Sequence, residues 1–426
     1  MRFAIAVHGT RGDVEPCAAV GLELIRRGHD VSMAVPPNLV DFAERCGAGP
    51  AMAYGVDSQQ QLEAEIFGKS WRLQNPLTAL RQLEDYMTQG WAQMSTTAVE
   101  LARDADLILT GTTFEEVAAN VAEHLGIPLA ALHYFPFRAN TQILPVRVPA
   151  QLARAAWPAA EWLHWRLVKR AEDAQRAALG LPKARRRAIR RIVEGGALEI
   201  QAYDPVFFAG LADDWSGHRP VVGSLTLQLD SDTDARTDDW IDAGPPPVYF
   251  GFGSMPVESP RAAVAMIAEV CARLGQRALI CSGVWDIPDD VATADVHVVR
   301  SVNHAAVFPR CRAVVHHGGA GTTAAGLRAG VPTFVLWIGA EQPLWARQVR
   351  ELGVGTSQRF YEASVESIAT GLATVLDPRH LDRAREVAAA MTSPAAAVAA
   401  AADLLEAAVR RGRTPVRSKP VRSSSR

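Results

Sequence analysis

The chain has 426 residues, which is more than one ordinary hydrophobic core organises and enough for two α/β domains. It is 48% hydrophobic and 21% charged, as soluble globular proteins are, and its formal net charge of −2 gives no indication of nucleic-acid binding. We therefore expect no nucleic-acid partner. No apolar run approaches the roughly 18 residues that span a bilayer.

The cysteines and the amino terminus bear on the cellular compartment. The five cysteines are an odd number without the close spacing of metal ligands: Cys17, Cys46, Cys271, Cys281 and Cys311. The first residues, RFAIAVHGT, predict a strand rather than the apolar core of a signal peptide. Both features favour a reducing cytoplasm. We expect a cytoplasmic monomer.

In the first half of the chain, apolar runs alternate with helical patterns. FAIAVHG (3–9) predicts a buried strand, and VEPCAAVGLELIRRG (14–28) predicts a helix that ends at Gly28. Further strands are predicted at HDVSMAVP (29–36), LILTGT (107–112) and PLAALHYFP (128–136). This βαβ alternation predicts a parallel sheet that is covered on both faces.

The composition changes at residues 228–247, where acidic, Ser/Thr and Pro residues predict an interdomain linker. VYFGFGS (248–254) then begins a second βα series, with further strands at 277–283, 313–318 and 332–339. We predict two doubly wound, Rossmann-like α/β domains that face each other across a cleft. Their bounds are 1–227 and 248–409, and the basic tail 410–426 is predicted to be disordered.

The most informative stretch is HHGGAGTTAAGLRAGVPTFVLWIGAEQ, residues 316–342. The strand pattern Ala313–Val315 leads into two histidines and a Gly-rich segment before a predicted helix. That order places free backbone N–H groups and a helix N-terminus at the end of a strand, which suits a phosphate. The next strand, Thr333–Ile338, leads to Glu341 and Gln342, whose side chains suit hydroxyl groups. The stretch therefore predicts a site for a phosphate joined to a polyol.

Two interpretations of this stretch are open from its residues. GAGTTA (319–324) fits G-x-G-x-x-G/A, and Glu341 follows about 20 residues on, as in an NAD-dependent oxidoreductase. The longer pattern of HHGGAGTT, RAGVP (328–332), EQ (341–342) and LGVG (352–355) resembles the donor-binding signature of family 1 glycosyltransferases of the GT-B fold. The resemblance is closest to those that decorate actinobacterial glycopeptides and glycolipids. It implies a GT-B fold and a nucleotide-diphospho sugar as co-substrate, with no cofactor.

The loop HGTRGDVEP (8–16) follows the first strand, so it should face the cleft. It resembles the acceptor-side motif of the same enzymes, in which the Asp of TRGD is the general base. The resemblance implies that Asp13 takes the proton of an acceptor hydroxyl, which is a poor nucleophile until it is deprotonated. Thr10, Arg11 and Gly12 would lie on the acceptor side. The alternative is that Asp13 only caps a helix that starts at Val14.

The resemblance also assigns donor contacts. His316, with His317 beside it, would contact the diphosphate together with the helix N-terminus. Val302 and His304 would hold the nucleotide base and the ribose. The remaining expected donor residues lie around the diphosphate or the sugar: Ser254, Gly319, Gly321, Thr322, Glu341 and Gln342.

Three departures from the family pattern affect the expected pocket. Glu341 replaces the usual Asp, which puts a glucose preference in doubt and suggests a 6-deoxyhexose such as rhamnose. Plant relatives have a stacking Trp at the position of Ser301, so Trp285 is suggested to cover the base instead. Trp337 stands where relatives often carry Pro, either as a pocket wall or as ordinary core packing.

Three D-x-D triplets occur, and in GT-A enzymes such triplets bind a divalent metal. They are Asp104/Asp106, Asp230/Asp232 and Asp232/Asp234. The first precedes a strand and the others lie in the predicted linker, so we interpret them as chance. We expect no metal requirement, because the helix N-terminus and His316 would replace the ion.

Residues 157–191 combine tryptophans with cations. WPAAEWLHWRLVKRAEDAQRAALG (157–180) predicts a helix with Trp157, Trp162 and Trp165, and KARRRAIRR (183–191) has six positive charges in nine residues. The segment is either a solvated helix pair or a peripheral contact with an anionic membrane at its inner face. The basic tail leaves the same two possibilities open.

These observations together predict an inverting, metal-independent hexosyltransferase. It would move a sugar from a UDP- or dTDP-sugar to a hydroxyl of a hydrophobic glycolipid, lipopeptide or secondary-metabolite acceptor. The alternatives are the NAD-dependent oxidoreductase and a non-catalytic protein that binds sugar nucleotides.

Overall fold

The computed structural model describes residues 1–67, 76–140, 150–215, 217–227, 235–255, 257, 259–287 and 293–412. These residues form two six-stranded sheets in which all strand pairs are parallel. The first sheet contains β1 Arg2–Ala6, β2 Asp30–Val35, β3 Ala51–Ala53, β4 Leu107–Thr110, β5 Leu129–His133 and β6 Leu198–Gln201. The second contains β7 Val248–Gly251, β8 Ala278–Cys281, β9 Val296–Val299, β10 Ala313–His316, β11 Thr333–Trp337 and β12 Gly355–Arg359.

The helices follow the strands in the alternation that the sequence predicts. In the first half they are α1 Arg11–Arg26, α2 Val40–Arg45, α3 Ser58–Phe67, α4 Pro76–Thr88, α5 Trp91–Ala102, α6 Glu115–Leu125, α7 Ala150–Ala178, α8 Ala188–Glu194 and α9 Leu211–Asp214. In the second half they are α10 Ala235–Asp242, α11 Pro260–Arg273, α12 His304–Val307, α13 Ala320–Arg328, α14 Gln342–Glu351, α15 Val365–Val375, α16 Pro378–Ala390 and α17 Pro394–Gly412. The predicted pair of doubly wound α/β domains is confirmed.

The strand order reverses next to the first strand of each sheet. The orders are β3-β2-β1-β4-β5-β6 and β12-β11-β10-β7-β8-β9. In open parallel sheets, ligands bind outside the carboxyl ends of the strands where the order reverses. The loops after β1, β7 and β10 begin at those points, so the topology puts the predicted site loops at the ligand-binding edge of each sheet.

Two elements differ from the predicted domain bounds. Helix α10, within the predicted linker, belongs to the second domain, where Trp240 stacks on His297 and Arg277 lies 3.8 Å from the Trp240 ring centroid. Helix α17, predicted within the second domain, buries Ala401 and Leu405 against the core of the first sheet. Its small apolar residues allow it to pack closely against α1, which no pattern local to α17 reveals. The predicted tail lies outside the described residues from 413 onward.

The stretch Pro378–Gly412 is the one part of the described chain that is long and apolar enough to cross a membrane by length and composition. It consists of α16 and α17, and the structure breaks it at residues 391–393. The apolar residues of α17 are accounted for by their burial against the first domain.

An aromatic cluster joins the two domains beside the cleft. Trp345 on α14 contacts Phe207 and Phe208 of the first domain, with ring centroids 5.1 and 5.5 Å apart. Nearby, Asp204 Oδ2 accepts a hydrogen bond from the backbone N–H of Thr392 at 2.7 Å. These contacts hold the carboxyl edges of the two sheets on either side of one cleft.

Candidate active site

The loop after β1 holds Asp13 by a helix cap. Thr10 is the N-cap of α1, and Asp13 Oδ2 accepts hydrogen bonds from the Thr10 N–H at 2.7 Å and from its hydroxyl at 3.3 Å. The Gly12 N–H donates to Thr10 Oγ1 at 3.3 Å. The Thr10 side chain also accepts from the backbone of Asp13, the N3 residue, and this bond and the bond from the Thr10 N–H to Asp13 form a capping box. The helix therefore starts three residues before the predicted Val14, and Asp13 is not its N-cap. Both bonds from Thr10 end on Oδ2, so Oδ1 receives no hydrogen bond from Thr10.

The protonation behaviour of Asp13 suits a base that works near neutral pH. Burial raises the pKa of Asp13 to about 7, and the negative charge of Glu341 contributes to the rise. The hydrogen bonds from Thr10 act in the opposite direction without reversing it. A general base is most effective when its pKa lies near the working pH. The effect of Glu341 also places the turn that carries it, in the second domain, near Asp13.

Two further residues fix the position of Asp13. Gly9 has φ +136°, and a Cβ there would lie 2.3 Å from Asp13 Oδ2, so only glycine fits. The Tyr134 hydroxyl, at the end of β5, donates to the Asp13 carbonyl at 2.8 Å and contacts Cys17 Sγ at 3.3 Å. The role of Tyr134 could not be predicted from the sequence, because it lies 121 residues from Asp13 along the chain and leaves no local signal.

Arg11, which was predicted on the acceptor side, also faces the donor domain. Its Nε donates to Glu15 at 3.1 Å, and its guanidinium lies 4.6 Å from the Phe42 ring centroid. Its positive charge helps to lower the pKa of His304 in the second domain, after the larger effect of burial. The first domain therefore places a cation near His304, a residue expected to bind the nucleotide.

The loop after β10 leaves a helix N-terminus open. Gly319 is the N-cap of α13 and has no side chain, so no side chain caps this helix. The first turn also has no acidic residue. The positive end of the helix dipole and its unpaired N–H groups are therefore available to an anion. Gly321 is exposed, and a Cβ there would have no described atom within 4 Å. Thr322, in the same turn, is partly buried.

His316 is a neutral hydrogen-bond donor. It is fully buried, and its Nδ1 accepts from the Gly318 N–H at 2.9 Å, so the neutral ring carries its proton on Nε2. Burial, with smaller effects of His317 and His304, lowers its pKa well below the usual range. Its Nε2 has no hydrogen-bond partner among the described residues. His316 is therefore a buried hydrogen-bond donor without a partner among the described residues, and it does not supply a positive charge.

His317 packs inside the turn. Burial lowers its pKa to about 4. A Cβ at Gly253 would lie 2.9 Å from the His317 ring, and one at Gly319 would lie 2.7 Å from it. The ring thus fills the space between the two glycine-rich loops, which explains why glycine is needed at both positions.

Ser254 and His304, which are expected to contact the diphosphate and the ribose, lie in well-packed surroundings. The Ser254 carbonyl accepts from Gln59 Nε2 of the first domain at 3.3 Å. His304 stacks on Phe308 with ring centroids 4.4 Å apart, and its Nε2 lies 3.3 Å from the Tyr249 hydroxyl. Burial, with the charge of Arg11, lowers its pKa to about 4. Val302 packs against the core cluster that contains Phe308.

The suggestion that Trp285 covers the nucleotide base is wrong. Its ring is only 6% exposed and stacks on Phe252 with centroids 4.9 Å apart. Its Nε1 donates to the Met255 carbonyl at 2.7 Å. Trp285 is a core residue of the second domain, which its position in the sequence does not reveal.

The turn before α14 presents Glu341 and Gln342. Ala340 adopts φ +53°, an unfavourable conformation for a residue with a side chain. Gln342 Oε1 accepts from the N–H groups of Ile338 at 2.8 Å and Gly339 at 3.4 Å. This leaves the Gln342 amide N–H groups to donate. Beside the turn, the Arg359 guanidinium lies 5.0 Å from the Trp337 ring centroid.

One group of described residues has metal-ligand character. Glu115, His133 and Glu199 are buried with ligand atoms within 4.8 Å of one another. Arg138 forms ion pairs with both carboxylates, and Arg219 donates to Glu199 at 2.8 Å. These guanidinium groups already neutralise the carboxylates, so a cation would have to displace them.

The D-x-D triplets do not form a site in the described chain. Asp106 Oδ2 accepts from the Arg2 N–H at 2.8 Å, and Asp104 lies 4.0 Å from the Arg2 guanidinium. Both precede β4, at the amino edge of the sheet and opposite the cleft. Asp230, Asp232 and Asp234 lie outside the described residues.

Comparison with known proteins agrees with the resemblance of the site loops to glycosyltransferases of the GT-B fold. Residues 3–143 match the glycosyltransferase family 28 N-terminal domain, and residues 261–407 match the C-terminal domain of the erythromycin biosynthesis protein CIII-like family. An uncharacterized glycosyltransferase of Mycobacterium tuberculosis is 56% identical over 415 residues, covering 97% of this chain and all of the relative. The chain belongs to the GT-B glycosyltransferases.

Other members of the family extend this likeness. The vancomycin aglycone glucosyltransferase of Amycolatopsis orientalis is 30% identical, over 94% of this chain and 96% of its own. The calicheamicin glycosyltransferase CalG4 has the same fold, with a TM-score of 0.71 at 20% identity, over 96% of this chain and 98% of its own. The glycosyltransferase VinC, solved with dTDP, has a TM-score of 0.67 at 17% identity, over 96% and 100%. Because the chain belongs to this family, the Gly-rich loop is not interpreted as the dinucleotide site of an NAD-dependent oxidoreductase.

Proposed function

We propose that this glycosyltransferase is an inverting, metal-independent hexosyltransferase that uses a UDP- or dTDP-sugar. The observation that carries the proposal is the arrangement of Asp13 and Glu341 on opposite sides of the cleft, close enough for Glu341 to raise the pKa of Asp13. A sugar held by Glu341 would have its reacting carbon beside a carboxylate suited to deprotonate an acceptor. Binding both substrates in this way turns a bimolecular reaction into an intramolecular one.

In the proposed step, Asp13 Oδ1 takes the proton of the acceptor hydroxyl. The hydroxyl oxygen forms a bond to the anomeric carbon while the bond from that carbon to the diphosphate oxygen breaks. The electron pair of the broken bond goes to the diphosphate. A single in-line displacement of this kind inverts the anomeric centre.

The leaving diphosphate would be stabilised from both domains. The N–H groups at the start of α13 and the Nε2–H of His316 would donate hydrogen bonds from the second domain. Because burial keeps His304, His316 and His317 neutral, the positive charge would come from Arg11 of the first domain. This division supports a reaction without a metal ion.

The sugar and acceptor are proposed at the level of chemical class. Glu341 and the Gln342 amide would bind sugar hydroxyls, and the longer side chain of Glu341 favours a 6-deoxyhexose such as rhamnose. A relative is a glucosyltransferase named for the vancomycin aglycone, a bulky non-sugar acceptor. We propose a hydrophobic acceptor of the glycolipid, lipopeptide or secondary-metabolite type, and an enzyme that acts in the cytoplasm.

The test is product formation with a library of UDP- and dTDP-sugars, in buffer with and without EDTA. The anomeric coupling constant in the proton NMR spectrum of the product reports inversion or retention. Asp13→Asn should lower transfer by about 10²- to 10⁴-fold. Asp41→Asn, at an exposed residue, is the matched control and should leave transfer unchanged. Donor binding without turnover in the wild type would favour the non-catalytic alternative, and loss of activity in EDTA would reject the metal-independent mechanism.

A further inference from the structure

The outer face of the first domain exposes large apolar side chains on two helices that pack together. On α7, Trp162 is 54% exposed and Leu163 is 46% exposed. On the neighbouring α4, Leu83 is 43% exposed and Tyr86 is 38% exposed. Exposed apolar groups of this size, when they cluster, are typical of a surface that binds something else.

The charges of α7, α8 and the segment between them are positive once ion pairs are removed, whereas on α4 Glu84 and Asp85 lie in sequence between the exposed Leu83 and Tyr86. All four acidic residues between 156 and 195 pair with cations: Glu161 with Arg187, Glu172 with Arg191, Asp173 with Lys169, and Glu194 with Arg186. Five exposed cations in the same segment have no ion-pair partner among the described residues: Arg166, Arg170, Lys183, Arg185 and Arg190. The segment therefore presents unneutralised positive charge alone.

The free cations lie next to the apolar side chains. Arg166 and Arg170 follow Trp162 by four and eight residues, which places them on the same side of α7. The 183–190 segment is held against the same half of α7, because Arg187 donates to the Pro158 carbonyl at 2.9 Å and to Glu161 at 3.0 Å. We call the exposed surface of α7, α8 and the segment between them the α7–α8 face.

One end of the face, the end with Trp162, lies at the cleft end of the first domain. Near Trp162, His164 contacts Glu116 at 2.6 Å in the first turn of α6, and Trp157 donates to the Asn140 carbonyl in the loop after β5. At its other end, α7 contacts the last turns of α6 through Arg176 and Glu123. Because α6 starts at the carboxyl edge of the sheet, Trp162 lies near the level of the cleft.

We propose that the α7–α8 face docks on an anionic lipid bilayer, so that an amphipathic acceptor enters the cleft from the membrane surface. The proposal rests on the proposed transfer function and supplies the source of its acceptor. Tryptophan and leucine insert into the headgroup region, while arginine and lysine bind lipid phosphates around them. Half of the cations predicted for this role from sequence form ion pairs within the protein instead. Trp157 and Trp165 are partly buried, and their N–H groups are hydrogen-bonded.

The experiment measures sedimentation of the full chain with vesicles of phosphatidylcholine alone and of phosphatidylcholine mixed with phosphatidylglycerol. One variant replaces the five free cations of the face by glutamine. The matched control makes the same change in charge at five exposed arginines elsewhere that have no ion pair within the described part of the chain: Arg45, Arg103, Arg312, Arg350 and Arg385. We expect binding to the anionic vesicles only, reduced about tenfold or more in the face variant and much less in the control.

A second pair of variants tests the apolar part of the face. Trp162→Gln should weaken binding to the anionic vesicles although it changes no charge, because it removes an aromatic ring that inserts into the headgroup region. Tyr361→Gln, at a 58% exposed aromatic residue of the second domain, should leave it unchanged. Circular dichroism and transfer to a soluble short-chain acceptor show that each variant is folded and active.

The outcomes separate this proposal from the proposed function. Unchanged partition of the face variant, or equal losses in both charge variants, would overturn the docking surface while transfer to the soluble acceptor persists. In another outcome, the wild type binds no vesicles and forms a concentration-dependent dimer that is absent in the Trp162 variant. That result would make the face a protein interface and would also overturn the proposed docking on lipid. Failure of the transferase function would instead appear as no transfer to any acceptor.

Discussion

Replacing Asp13 by asparagine separates its role as a base from its role in the helix cap. An asparagine oxygen can still accept the Thr10 N–H, so the cap of α1 should persist. The variant lacks the carboxylate that takes the proton, and transfer should fall by about 10²- to 10⁴-fold, the usual contribution of a general base. In the wild type, a pKa of about 7 predicts that kcat/KM falls tenfold per pH unit below neutral and levels off above it.

The same shift predicts an effect on stability that has a definite sign. The Asp13 pKa rises from 3.8 to about 7 on folding. At about 1.4 kcal/mol per pKa unit, the ionised form costs the folded protein up to about 4 kcal/mol. The folded state binds more protons than the unfolded state between these two values, so wild-type stability falls as pH rises through that range. Asp13→Asn escapes the cost and should be more stable than the wild type at about pH 8 and nearly equal at about pH 3.5.

The assay combines kcat/KM measured from about pH 5 to about pH 9 with thermal unfolding of both proteins at the two pH extremes. An acid limb of kcat/KM centred near pH 4 would refute the effect of burial on Asp13. An asparagine variant that is less stable than the wild type at about pH 8 would refute it independently. Retained transfer by the variant would show that another group acts as the base.

Glu341→Gln removes the charge that faces Asp13, so the acid limb of kcat/KM should move to lower pH. The donor KM should rise. An acid limb that stays at the same pH would show that the two carboxylates do not interact. Arg11→Gln removes the cation that faces the donor domain, and calorimetry should find UDP binding about 10- to 100-fold weaker, since charged hydrogen bonds contribute about 1.5–3 kcal/mol. Unchanged UDP affinity at low salt would place Arg11 away from the diphosphate. Gly321→Ala adds a methyl group in open space, so donor affinity should fall while the melting temperature holds or rises, because alanine favours helices by about 1 kcal/mol. Gly319→Ala places its methyl group 2.7 Å from a histidine ring and should lower the melting temperature as well; equal melting temperatures in the two variants would contradict the packing described here.

The sequence alone predicted the two sheets and the loops that form the site. Strands β1 and β10 are short apolar runs followed by glycine, and helix α13 follows a turn that only glycines can make. These signals are local, because each depends on residues within one element and its adjoining turn. The loops that carry Asp13 and Glu341 could therefore be placed at strand ends, and the resemblance to a known signature supplied their expected roles.

Only the tertiary structure decided how those residues behave. The pKa of Asp13 depends on burial and on Glu341, which is more than 300 residues away along the chain. Trp285 lies in the core rather than in the pocket, and α17 packs on the first domain although it follows the second. Charge interactions and burial depend on distance in space, and no local pattern encodes the distance between residues that lie far apart in sequence.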